Sequence, residues 1–104
     1  MNEHFTYGTE EDNFEKLKKI IGNSFDVPME EHESGWWGIY ALAKSQEFEQ
    51  IKLYPNFVEG EGHHNRDHEL KYLLDISFPS GSINLANIIK EIPVNFKLVK
   101  HSEV

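Results

Sequence analysis

Eleven residues in the middle of the chain hold its densest chemistry: Glu59 to Glu69, EGEGHHNRDHE. His63, His64 and His68 with Asp67 are donors of the kind that hold zinc or another borderline ion. His64 and His68 are four apart, so a helix would bring both rings to one face. That is the spacing of the outer histidines in a zinc-protease helix, but Asn65 stands where that motif needs its glutamate base. Gly60 and Gly62 precede the cluster and a strand pattern follows at once, leaving little room for a helix. The stretch therefore reads first as a solvated connection between strands that can touch a partner, with a metal site at His63, His64, Asp67 and His68 as the competing reading.

General acid–base work needs a histidine or a tuned carboxylate held in a cleft. Side chains of that kind are present, but no nucleophile elbow or phosphate-cradling loop accompanies them, and EGEG is followed by no helix and lysine. Cysteine is absent, which excludes thiolate nucleophiles, disulfides and cysteine zinc sites. The sequence thus points away from an enzyme and from a resident cofactor.

A second constellation is EEHESGWWG. Glu30, Glu31 and Glu33 run into Trp36 and Trp37, and adjacent strand residues point to opposite faces. An exposed tryptophan beside carboxylates would anchor a basic protein surface, whereas burial of both rings would make them core. Tyr54, Asn56 and Phe57, around Pro55, admit the same two readings. The candidate partner-binding set is Glu30, Glu31, Glu33, Trp36, Trp37, Tyr54, Glu59 and Glu61.

Charge supports that direction. The formal net charge is −8, and residues 1–62 carry 13 acidic against 5 basic side chains while the remainder balances. A nucleic-acid backbone needs a basic footprint, so nucleic acid is not the expected partner; the acidic excess reads either as a match for a cationic protein or simply as the charge that keeps the chain soluble. No window approaches the roughly 18 apolar residues that span a bilayer. The acidic N-terminal stretch lacks an apolar signal core, and a cytoplasmic location is the expectation.

The elements that must position these residues follow from periodicity. At 104 residues the chain is expected to form a single domain spanning 1–104. His4–Tyr7 alternates as a short strand. TEEDNFEKLKKIIG reads as a helix capped by Thr9 and closed by Gly22, with Phe14, Leu17 and Ile21 as its apolar stripe. Gly35–Ala43, Phe48–Val58 and Glu69–Phe78 read as strands, with the second ending or bulging at Pro55 or lying at a sheet edge. A second helix runs from a Ser82 cap to Pro93 with Leu85, Ile88, Ile89 and Ile92 apolar, and Val94–His101 forms the last strand. The order β-α-β-β-β-α-β predicts an α+β two-layer sandwich, two helices on a mostly antiparallel sheet of four or five strands, a ferredoxin-like variant with an extra hairpin strand.

This whole-chain pattern resembles the bacterial toxin-immunity proteins of contact-dependent growth inhibition and other polymorphic toxin systems. The resemblance is carried by TEEDNFEKLKKIIG, GWWGIYALA, EQIKLYPNF and the closing helix–strand pair. It implies tight, stoichiometric binding of a cognate toxin domain, typically a basic nuclease, by occluding its active site or docking beside it. Two further functions remain open from the residues: a small metal protein or enzyme built on the histidine cluster, and a regulatory domain that self-associates through an edge strand.

Overall fold

A computed structural model describes residues 1–103. Its strands are β1 (Asn2–Thr9), β2 (Glu30–Ser34), β3 (Gly38–Ala43), β4 (Gln50–Pro55), β5 (Phe57–Val58), β6 (Gly62–His63), β7 (Tyr72–Pro79) and β8 (Lys97–Glu103). The helices are α1 (Phe14–Phe25) and α2 (Leu85–Glu91). Six strands form one sheet in the order β2-β3-β4-β7-β1-β8, antiparallel at every pairing, and β5 and β6 make a separate small hairpin. Both helices pack on one face, so the two-layer α+β architecture holds.

The sheet is larger than the four or five strands expected. Glu30–Ser34, expected as part of a polar connection, pairs with β3 through all five of its residues. Nothing in EEHES alternates in hydropathy, because this edge strand is exposed on both faces. Without the β2–β3 hairpin the remaining order is β8-β1-β7-β4, with helices after β1 and β7. The hairpin extends the sheet beyond β4, which places β4 inside it with Pro55 as its last residue.

α1 starts and stops later than its sequence signals indicate. Asn13 is the N-cap, its Oδ1 accepting from the Lys16 amide at 3.1 Å, while the Thr9 hydroxyl accepts from the Glu11 amide in the approach. The helix passes Gly22 and ends at Asp26, which takes the left-handed conformation at φ 53°. It continues because Phe25 extends the stripe of Leu17 and Ile21 into the core, where its ring meets Phe48 edge-on. α2 is capped by Asn84 rather than Ser82, whose hydroxyl donates to the Pro79 carbonyl instead.

β7 organises both faces of the sheet. Leu74, Ile76 and Phe78 bury beneath the helices with Ile51 and Leu53 of β4 and Tyr7 of β1. The opposite face is not bare: Leu73 buries there with Tyr54 and Leu70, joined by Trp37, Tyr40 and Val99. Asp75 also lies on that face, nearly buried, and accepts hydrogen bonds from the Tyr54 hydroxyl at 3.0 Å and the Thr6 hydroxyl at 2.9 Å.

A candidate protein-binding surface at the hairpin tip

The β2–β3 connection is a three-residue turn, Gly35, Trp36 and Trp37. The Ser34 hydroxyl accepts from the Trp37 amide at 2.9 Å, and Gly38 follows at φ 70°, a value a side-chain-bearing residue adopts only with strain. This places the tryptophans at a tip rather than on the strand expected from Gly35. Trp36 is 54% exposed. Trp37 folds back over the sheet, its ring 4.9 Å from that of Tyr54, with Lys52 Nζ 3.5 Å from its centroid. Burial pulls the Lys52 pKa below its ordinary value, with the Asp75 carboxylate opposing that shift. Tyr54, expected as a contact residue, is 5% exposed and supports Trp37 from below.

The connection after β4 packs against this tip. Asn56 is fully buried: its amide donates to the carbonyls of Asp67 and Leu70, and its Oδ1 accepts from the Asn65 amide. One side chain thereby holds the start, middle and end of the loop. The loop delivers His64 among the rings of Trp36, Trp37 and Tyr54, with centroids 5.1 to 5.4 Å away. Its Nε2 donates to the Trp36 carbonyl at 3.1 Å.

The histidine cluster is therefore divided. His63 and His68 stack with centroids 3.6 Å apart, and His64 turns to the tryptophans. Asp67 pairs with Lys97 at 3.6 Å. Among the described residues no three histidine, aspartate or glutamate side chains converge on one point. Desolvation first, then the nearby charges of His68 and Lys71, hold the His63 pKa below its ordinary value.

The carboxylates are divided as well. Register places Glu31 and Glu33 on the helix side of β2, opposite Ala41 and Ile39, and Glu30 with His32 on the other side. Glu31 is tied to Lys18 of α1 at 3.3 Å. Among the described residues Glu33, Glu59 and Glu61 make no ion pair. Glu33 and Glu59 line an open groove of about 380 Å³ with Ile39, Pro55, Phe57 and Val58. Ile39 is 51% and Phe57 56% exposed. Glu61 lies in the turn of the β5–β6 hairpin and is not among the groove's lining residues.

Ile39 was not singled out from the sequence. Its signal is only that it occupies the face of β3 opposite Tyr40, and no periodicity says that the helices stop short of it. A second grouping also escaped the sequence: His4 Nδ1 and Ser77 Oγ are 2.7 Å apart, with Asp75 Oδ2 4.0 Å from His4 Nε2. Only the β1–β7 register joins residues so distant in the chain. The gap to Asp75 is too long for a hydrogen bond, and Asp75 is already engaged by Tyr54 and Thr6, so the dyad lacks the orienting partner of a nucleophilic triad.

No family model, curated protein or solved structure matches the chain. None of the helices in the described residues is long and apolar enough to cross a membrane.

Proposed function

We propose that the chain is an inhibitory binding protein of the immunity type, which neutralises a cationic effector domain by covering part of its surface. The observation that carries this reading is the groove between Ile39 and Phe57, an exposed apolar strip rimmed by the carboxylates Glu33 and Glu59, which make no ion pair among the described residues. Apolar side chains left in water supply contact energy, and the carboxylates favour a partner bearing lysine and arginine around an apolar anchor. Trp36 at the adjoining tip adds a large ring, held in place from behind by His64. The acidic excess of residues 1–62 would speed encounter with such a partner and make it salt-sensitive.

The test is co-expression with the C-terminal domain encoded by the neighbouring upstream open reading frame. A soluble one-to-one complex and relief of that domain's toxicity are expected. Persistent toxicity without co-purification would refute the reading.

A further inference from the structure

The sheet ends at β2 on one side and at β8 on the other. Five residues of β2 pair with β3 on one side only. In an antiparallel pair alternate residues bond the neighbour, so the others direct N–H and C=O groups outward. Such an edge is a template for another strand. At the opposite edge the side chains of β8 are engaged with their neighbours. His101 stacks on Phe5 and meets Glu3, Lys97 meets Asp67, and Glu103 accepts from Ser80. On β2 every residue but Ser34 is exposed, as are five of the seven on β8, and Glu31 of β2 is tied to Lys18 while Glu30 meets His32.

Grooves flank both ends of β2. At its start one of about 360 Å³ is lined by Pro28, Glu30, His32 and Leu42. At its end lies the Ile39–Phe57 groove, which Glu33 and Ser34 enter. A strand laid along β2 would run from one to the other, with side chains alternating toward Glu30 and His32 on one face and Glu31 and Glu33 on the other.

We infer that the partner of this surface contributes an extended, basic segment that adds to the sheet as a seventh strand beside β2, with its lysine or arginine side chains drawn to the carboxylates that β2 carries on both faces. Backbone hydrogen bonds supply register and the flanking grooves take apolar side chains. This rests on the inhibitory reading above and specifies its mode. Charge decides the occupant: β2 carries three glutamates in five residues and no lysine or arginine. Although Lys18 pairs with Glu31 and Lys44 lines the groove at its start, the balance on the strand still repels an acidic segment and draws in a basic one through Glu30 and Glu33.

The test uses the intact protein and synthetic capped peptides that alternate lysine with valine. Amide hydrogen exchange should slow at alternate positions of Glu30–Ser34 when the peptide is added. The same peptide N-methylated along one edge keeps its charge but cannot complete the ladder, and should bind about tenfold more weakly or worse. A glutamate–valine peptide should not bind, and Glu30→Lys with Glu33→Lys should reverse that preference. Equal binding of parent and N-methylated peptides would reduce the effect to charge attraction and overturn strand addition. So would protection of β2 and β8 that rises with protein concentration alone, which would give the edge to a second copy. An effector domain that binds without slowing exchange in β2 would overturn this inference and leave the inhibitory reading standing. Peptide binding by strand addition without effector binding would do the reverse.

Discussion

His64 and Trp36 lie 28 positions apart in the chain, and the ring of one donates to the main-chain carbonyl of the other at 3.1 Å. That bond joins the two sequence features richest in chemistry, the histidine loop and the tryptophan turn, into one structure. It also changes what the loop does. His64 acts as a prop for the tip, with three aromatic rings around it, instead of as a metal ligand beside His68.

Replacing His64 by alanine should therefore loosen the tip. Loss of one hydrogen bond and the ring contacts is expected to cost about 1–2 kcal/mol. Denaturant unfolding should show the lower midpoint, and tryptophan emission should shift to the red as Trp37 gains water. An unchanged spectrum would mean that the tryptophans hold their places without the histidine.

Asn56 is expected to matter more. Asn56→Ala leaves two carbonyls and one amide without their partner inside the protein, a loss of about 2–4 kcal/mol. Asn56→Asp should be worse at neutral pH than in mild acid. A carboxylate would face two carbonyl oxygens, whereas its protonated form can donate to one. Parallel unfolding curves at the two pH values check this, and an equal deficit at both would contradict the role assigned to the amide.

The buried tyrosine gives a pH signature. Burial first, then the Asp75 charge and its hydrogen bond, push the Tyr54 pKa far above that of an exposed phenol, and burial also raises Tyr7 and Tyr72. The folded state thus keeps protons that the unfolded chain releases above about pH 10, so these groups' contribution to stability is complete below that pH and declines above it. Ultraviolet titration of the four tyrosines should show Tyr54 ionising only as the protein unfolds. A full phenolate signal from folded protein near the ordinary pKa would contradict this placement.

The architecture was legible where hydropathy alternates. β7 declares itself through Leu74, Ile76 and Phe78, and both apolar helix stripes fall where the spacing of Leu17 and Ile21, and of Leu85, Ile88 and Ile92, puts them. The edge strand β2 was not legible, because a strand exposed on both faces has no buried set to alternate. Helix ends were misplaced where local signals competed: Thr9 and Ser82 are good caps that bind other backbone groups, and Gly22 can end a helix but here lies inside one. At the candidate surface, Trp36, Glu33 and Glu59 could be picked out by residue type. Ile39 and the burial of Tyr54 depend on where the helical layer stops and how Trp37 folds back, which only tertiary packing decides.

The groove residues should separate binding from folding. Ile39→Ala, Phe57→Ala and Glu59→Lys change exposed side chains, so stability should stay within about 0.5 kcal/mol of the parent. Each apolar truncation should weaken a cationic effector by about tenfold or more. Glu59→Lys should chiefly slow association and flatten its salt dependence. Thermal unfolding and binding kinetics on the same preparations check both halves.

The most direct measurement is the affinity of the neighbouring gene's effector domain for the parent protein and for the double variant Glu33→Lys, Phe57→Ala, at low and high salt. The account predicts tight one-to-one binding by the parent that weakens with salt, and a loss of about 100-fold or more in the variant with its fold intact. Equal affinity of the two proteins, or binding indifferent to salt, would contradict it.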